Sequence, residues 1–174
     1  APEACEKGIV PTTSTTMTLA LGDALAIALM EHRAFSPDQF RAIHPGGKLG
    51  AKLLHVGDLM HSDPPVVHEA RPMSEALLTM TRAGFGVVGV TDQKGHLVGI
   101  VTDGDLRRHM DGLLTMTAGQ VMTRGPRTAP SGDLAVEALA LMNERKITCL
   151  LVTDEAGRPT GVLHIHDCLR AGVA

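Results

Sequence analysis

The chain contains two copies of one pattern, and that repeat restricts its fold more than any other feature. Residues 57–109 laid over 119–171, at a constant offset of 62 and without a gap, agree at fourteen of 53 positions. The first seven identities are Gly57/Gly119, Met60/Met122, Pro64/Pro126, Glu75/Glu137, Ala76/Ala138, Leu77/Leu139 and Met80/Met142. The others are Val90/Val152, Thr91/Thr153, Asp92/Asp154, Gly95/Gly157, Gly99/Gly161, Asp105/Asp167 and Arg108/Arg170. They cluster at turns and on helical faces. Two copies are too few for an open solenoid, which needs three or more stacked units. They suit a pseudo-twofold pair that buries its apolar faces against each other.

Each copy predicts the same elements in the same order. A Gly-x-apolar-Met turn leads into a short extended stretch after Pro64 or Pro126. An amphipathic helix follows, with Met73, Ala76, Leu77 and Met80 on one face in the first copy. In the second copy Leu134, Ala138, Leu139 and Met142 take that face, with Asp133 as the expected N-cap. Their methionines read as core. The runs Val87–Thr91 and Cys149–Thr153 predict strands. Asp92-Gln93-Lys94-Gly95 and Asp154-Glu155-Ala156-Gly157 predict tight turns. Second strands, Leu97 to Thr102 and Gly161 to His164, then feed short helices at Leu106 and Cys168. The order is β-α-β-β-α, twice, which makes the fold class α+β.

Composition removes several functions. With 16 basic and 19 acidic side chains the net charge is −3, so a basic nucleic-acid surface is not expected. The chain has three Phe and neither Trp nor Tyr, which argues against base-stacking platforms. A bound base is expected to lie between aliphatic side chains such as Val66, Val88, Ile100 or Ile147. Cys5, Cys149 and Cys168 form no Cys-x-x-Cys pair and read as reduced thiols in a cytoplasmic protein. No metal site is expected: His164 and His166 would alternate on an extended run and face opposite sides. His55 and His61 read as solvent-facing loop residues. The stretch Met17 to Met30 is interrupted by Gly22 and Asp23, so no membrane span is expected.

Gly99-Ile100-Val101-Thr102-Asp103-Gly104-Asp105-Leu106 and Gly161-Val162-Leu163-His164-Ile165-His166-Asp167-Cys168 resemble the signature of a CBS-domain pair (a Bateman module). The first copy matches fully; the second has His164 in place of the usual Thr or Ser. The resemblance places CBS domain 1 at residues 56–112 and CBS domain 2 at 118–174. In that family the signature hydroxyl and carboxylate contact the phosphate and ribose of nucleotides. It therefore implies one ligand site at Thr102 and Asp105 and another at His164 and Asp167. Arg107, Arg108, Lys146 and Arg170 would supply phosphate charge, with Thr148 beside them. The competing reading makes Asp103 or Asp105 and Asp167 plain helix caps. His164 could instead bring a pH-dependent cation to a phosphate.

Residues 1–55 hold no copy of the repeat. The Ser/Thr run Thr12–Thr16 is expected to cap an apolar helix from about Met17 to His32. Its apolar residues surround it almost completely, and a segment of this size cannot bury it alone. Ser36-Pro37-Asp38-Gln39 predicts a further helix start. The Thr-Ser-Thr-Thr run, Gly22-Asp23-Ala24-Leu25-Ala26 and His44-Pro45-Gly46-Gly47-Lys48-Leu49-Gly50 resemble the end of the sugar-isomerase (SIS) domain of D-arabinose-5-phosphate isomerases. Those enzymes carry a CBS pair directly afterwards, and His164 is similar to their C-terminal pattern. The resemblance implies that residues 1–55 are the helical tail of an α/β SIS domain whose larger part lies upstream.

It also implies interconversion of D-ribulose 5-phosphate and D-arabinose 5-phosphate for 3-deoxy-D-manno-octulosonate (Kdo) and lipopolysaccharide synthesis. His44 would be the catalytic acid/base or orienting group. The phosphate loop and sheet-domain Lys and Glu of that family are missing, so this chain alone is expected to be inactive. The expected role is a regulatory module without a required cofactor, binding a nucleotide or nucleotide sugar: CMP-Kdo as feedback effector, CMP, or an adenine nucleotide. The alternatives are a ligand-free oligomerisation module, or an enzyme in its own right. Expected partners are the protein's own SIS domain and further copies of itself, as a dimer of CBS pairs within a tetramer.

Overall fold

The apolar runs of the two copies form strands and helices where their periodicity directs, in a computed structural model that describes residues 2–5, 7–36, 39–40, 43 and 50–173. The chain divides into two compact units, Ala1–Pro45 and Gly46–Ala174.

In the first unit helix α1 spans Thr13–His32. It begins earlier than the expected Met17, and all of the Thr/Ser run except Thr12 lies inside it. Thr12 is the N-cap residue but makes no side-chain cap bond. The Glu3 carboxylate does the capping: it accepts from the Thr12 N–H at 2.7 Å, the Thr12 hydroxyl at 3.0 Å and the Ser14 N–H at 3.3 Å. An anion there satisfies orphan donors and complements the helix dipole, which a hydroxyl does less well. No residue of α1 is buried, and Leu19, Leu21, Leu25 and Ile27 are exposed. Gly22 and Asp23 do not interrupt it. The helix is long and apolar enough to cross a membrane by length and composition, a test that core helices also pass. Further on, Ser36 and Gln39 exchange two hydrogen bonds of 3.0 and 3.3 Å, the capping box expected of a helix start. His44 and residues 45–49 lie outside the described residues.

The second unit begins with a short helix α2 (Val56–Leu59), strand β1 (Val66–His68) and helix α3 (Met73–Ala83). Strands β2 (Val87–Thr91) and β3 (Leu97–Thr102) and helix α4 (Asp103–Arg108) complete the first copy. A 3-10 turn, Leu113–Thr115, leads to α5 (Ala118–Val121), β4 (Thr123–Arg124) and β5 (Thr128–Ala129). Then come α6 (Ala135–Arg145), β6 (Cys149–Thr153), β7 (Pro159–His164) and α7 (Ile165–Arg170). The predicted order holds in both copies. The Asp-x-x-Gly turns close as expected, with Gly95 at φ 81° and Gly157 at φ 76° and both Gly N–H groups bonded to the turn Asp carbonyls.

The sheets run β1-β2-β3-β4 and β5-β6-β7. β4 precedes the second copy's own strands, yet it pairs with β3 of the first, Ile100 opposite Thr123. The matching contact on the other side is a bridge between His61 and Val162. Each copy therefore sends its front segment onto the other. Val56 packs in one cluster with Leu139, Met142, Leu150 and Leu163 of the second copy. Ala118, Val121 and Met122 pack with Met73, Met80, Val88 and Val101 of the first. Fully burying a side chain such as Met73 or Met142 contributes roughly 1.5–3 kcal/mol.

This exchange explains several repeated residues. A Cβ on Gly57 would meet the Ser131 carbonyl at 3.1 Å, and one on Gly119 the Glu69 carbonyl at 3.0 Å. The side chain of Met122 covers Gly99, and that of Met60 covers Gly161. It also caps the two long helices. The Met73 N–H donates to the Met116 carbonyl at 2.9 Å, and the Ala135 N–H to the Leu54 carbonyl at 2.8 Å. Asp133 is thus not the N-cap of α6; Leu134 occupies that position without a side-chain bond, and Ala135 takes the first buried place expected of Leu134. Between the sheets, Val87, Cys149, Leu151 and Val162 form a third buried cluster against Phe85, Leu97 and Ile100.

Candidate functional site

Two clefts open where the copies meet. The first, about 640 Å³, is lined by Phe85, Ile100, Thr102, Asp105 and Arg107 from one copy. Thr123, Arg127, Lys146, Ile147 and Thr148 line it from the other. β3 ends at Thr102, which is the N-cap of α4, and Asp105 is the third residue of that helix. The Thr102 hydroxyl accepts from the Asp105 N–H at 3.4 Å and donates to its Oδ2 at 2.6 Å. The Thr102 N–H donates to the same Oδ2 at 2.9 Å. Oδ1 accepts from Arg108 at 2.6 Å and from the Thr123 hydroxyl at 2.8 Å, so both copies hold one carboxylate. Asp105 is 2% exposed. Burial alone would raise its pKa, but the bonds from Thr102, Thr123 and Arg108 outweigh it and hold the carboxyl below its ordinary range. The cap is therefore Thr102, with Asp105 closing the box, and Asp103 does not cap. Four protein donors occupy Asp105; a ribose diol would have to replace one of them.

The cations of the first cleft are less committed. The Arg107 Nε donates to the Asp103 carbonyl at 3.3 Å. No ion pair among the described residues involves Arg107, Arg127 or Lys146. Lys146 ends α6 with φ 55°, a left-handed conformation that the first copy gives to Gly84 at φ 73°.

The second cleft, about 770 Å³, is lined by His61, Phe85, His164, His166, Asp167 and Arg170. Asp167 pairs with the His61 Nε2 at 3.1 Å and with Arg170. Burial raises its carboxyl, and the bonds from Arg170 and His61 bring it below the usual value. His164 caps α7 by accepting the His166 N–H on Nδ1 at 3.2 Å. Its pKa is lowered by burial first and then by the neighbouring His166, the direction that favours the neutral ring such a bond uses. The rings form a wall: His61 to Phe85 5.0 Å, Phe85 to His164 6.2 Å, His164 to His166 4.9 Å.

The two copies match the protein-family model of the CBS domain at residues 56–112 and 118–174. The chain belongs to the CBS-domain family. Its CBS pair and the segment before it are together 49% identical to the arabinose 5-phosphate isomerase KdsD of Pseudomonas aeruginosa, over 98% of this chain and 54% of that protein. Arabinose 5-phosphate isomerase KpsF of Escherichia coli is 44% identical over 96% of this chain and 52% of its own length. The chain thus spans about half the length of these relatives. Among solved structures, CBSX2 in complex with AMP superposes with a TM-score of 0.60 at 26% identity, covering 69% of this chain and 96% of that one.

The CBS pair gathers Thr102, Asp105, Arg107, Lys146 and Thr148 at one cleft and His164, Asp167 and Arg170 at the other; Arg108 and Arg170 each hold the signature Asp of their copy. Two sequence expectations are corrected. His164 and His166 share a cleft, because the strand ends at His164 and α7 starts at Ile165, so two-residue alternation stops there. His61 is half exposed, as a solvent-facing residue should be, and its Nε2 also meets Asp167 at 3.1 Å. Of the expected aliphatic walls, Ile100 and Ile147 line the first cleft, but Val88 is fully buried in the first copy's core and Val66 does not line it. Phe85 supplies an aromatic wall to both clefts despite the scarcity of aromatics.

Thr123, Arg127 and Phe85 were not singled out from the sequence, and His61 was read as a loop residue without a site role. Thr123, Arg127 and His61 sit just before or after the repeated Pro64 and Pro126, and only a crossed reading of the two copies would have brought them to the clefts. The cysteines are free; burial and the Asp167 charge set against Cys149 push that thiol up to about 11, and it donates to the Phe85 carbonyl at 3.3 Å.

Proposed function

We propose that the CBS pair binds a nucleotide or nucleotide sugar in the first cleft and thereby regulates an arabinose-5-phosphate isomerase. The observation that carries this is the convergence of Arg107, Arg127 and Lys146, from both copies, on one cavity beside the signature Thr102 and Asp105. A ligand spanning the two copies there has differential contacts with their relative arrangement, which regulation requires. The names of the relatives and the AMP complex of CBSX2 support the reading. CMP-Kdo, CMP, AMP and ATP are the candidate effectors. The catalytic role falls to His44 with groups outside this chain, residues 1–55 serve as the tail of the SIS domain, and the whole enzyme works in the cytoplasm as an oligomer. The exposed apolar length of α1 supports such a covering domain.

Calorimetry and thermal melting with the four compounds test the proposal. A ligand at a hundred times its Kd stabilises the fold by about 2.7 kcal/mol. No heat and no melting shift with any of them leaves the competing role, a structural oligomerisation module, for which the fully bonded Asp105 speaks. Under that role Asp105→Ala changes stability and nothing else.

A further inference from the structure

The offset of 62 pairs each group of one cleft with a group of the other, so their differences can be taken one at a time. Thr102, Asp105, Arg108 and Thr123 correspond to His164, Asp167, Arg170 and His61. Arg108 and Arg170 are both engaged with the carboxylate of their own copy. Three cations of the first cleft have no polar counterpart at all: Arg107 corresponds to Leu169, Arg127 to Pro65 and Lys146 to Gly84. These three arise from separate elements on both copies and reach one cavity of about 640 Å³. Asp103 and Asp105 line the same cavity, and Asp105 is paired with Arg108, so the three cations face one further carboxylate, Asp103. The excess is cationic, and an anion placed among like charges relieves their repulsion.

Lys146 adds an independent observation. Its φ of 55° is a conformation that costs a non-glycine residue about 1 kcal/mol or more, and the first copy meets the same turn with glycine. The second copy thus carries backbone strain at the position that brings an ammonium to the first cleft. The wall of the second cleft holds imidazole and phenyl rings, with its one arginine already on Asp167.

We infer that the first cleft takes a nucleoside whose ribose carries two or more linked anionic groups, held by Arg107, Arg127 and Lys146, and that the second cleft refuses it. A phosphate chain and a phosphodiester joined to a sugar carboxylate share that chemistry. This rests on the nucleotide reading above and adds the ligand's charge pattern and its stoichiometry of one per chain.

The test is calorimetric titration of the chain with ATP, CMP-Kdo, AMP and adenosine at one ionic strength. Wild type is compared with Arg127→Ala/Lys146→Ala and with Arg170→Ala, and ligand-free melting confirms that each variant folds. ATP or CMP-Kdo should bind once per chain, at least tenfold tighter than both AMP and adenosine; which of the two binds identifies the source of the anion. The double variant should bring that ligand down to the affinity of adenosine and leave adenosine unchanged, while Arg170→Ala keeps the preference. Two equivalents per chain, AMP or adenosine as tight as ATP and CMP-Kdo, or a preference that survives the double variant overturns the inference while sparing the nucleotide reading. No heat with any of the four rejects both.

Discussion

At the first cleft the strand-to-helix handover reads Thr102-Asp103-Gly104-Asp105, and at the second His164-Ile165-His166-Asp167. The hydroxyl of Thr102 is short enough to close a box with the third helical residue, so Asp105 is drawn in and buried with four donors. The imidazole of His164 reaches back only to the His166 N–H, and the described hydrogen bonds to the Asp167 side chain come from His61 and Arg170. Both carboxylates line a cleft; with His164 at the cap in place of a hydroxyl, the Asp167 side chain is held by two side chains and is 10% exposed, against four donors and 3% for that of Asp105. The cross-copy contact changes with it: Thr123 gives a hydroxyl to Asp105 where His61 gives a ring to Asp167. The lesson is that pseudo-symmetry preserves the positions of groups in a repeat pair and leaves their chemistry free to diverge.

The largest expected effect concerns the exchanged front segments. A Cβ on Gly161 would lie 2.9 Å from the His61 carbonyl and 2.6 Å from the Met60 sulfur. For one on Gly99 the three nearest atoms all belong to the Met122 side chain, its sulfur at 2.3 Å. Backbone yields less than a thioether, so Gly161→Ala should cost about 2–3 kcal/mol and Gly99→Ala about 1–2 kcal/mol. Thermal melting reads this as a drop of roughly 2–4 °C per kcal/mol. Equal losses would break the asymmetry claimed for the two crossings.

Next is the pair of signature carboxylates. Asp105→Asn leaves buried donors facing an amide and should cost about 2 kcal/mol in urea unfolding. Asp167→Asn, whose partners His61 and Arg170 have side chains 50% and 75% exposed, should cost about 1 kcal/mol or less. A larger loss at Asp167 would reverse the ranking of the two clefts.

The smallest effect is in pH dependence. His164 lies among His61, His166, Asp167 and Arg170, and its pKa in the fold is below its ordinary 6.5. Below pH 6.5 the unfolded chain takes up that proton before the folded chain does. Stability is therefore lost as pH falls through 6.5 and stops falling, for this group, below the folded pKa. Asp105 and Asp167, lowered from 3.8, contribute stability above that value and lose it as pH falls through their folded pKa values. His164→Gln should remove the upper step and keep the lower one in urea unfolding between pH 7.5 and 3. An upper step of unchanged size would assign it to other histidines.

Much of this was legible in the residues. Val87–Thr91 and Cys149–Thr153 are strands with the expected ends, because a run of β-branched and aliphatic residues bounded by a turn glycine has few other choices. The buried faces at Met73, Ala76 and Met80 and at Ala138, Leu139 and Met142 follow from helical spacing. Thr102, Asp105 and Arg107 were legible as candidates because they stand in or next to the signature, and Lys146 and Thr148 because they precede the strand Cys149–Thr153 of the second copy; the first cleft gathers all five. Arg127, Thr123 and His61 were not, since nothing local to them tells which copy they will touch. Phe85 was missed for a different reason: one ring serves two cavities, and composition counts it once.

The repeat, the order of elements in each copy, the turn geometry and the α+β class follow from the order of residues alone. Those depend on period, propensity and glycine placement, all of which act between residues a few positions apart. The tertiary structure alone decided that the front of each copy crosses to the other, that long helices are capped from across the pair, and that three cations meet at one cleft and rings at its twin. Those outcomes depend on burying Val56 and Val121 in the partner copy's core, a long-range choice driven by the removal of apolar surface from water. That force is non-directional, and no local pattern encodes its result.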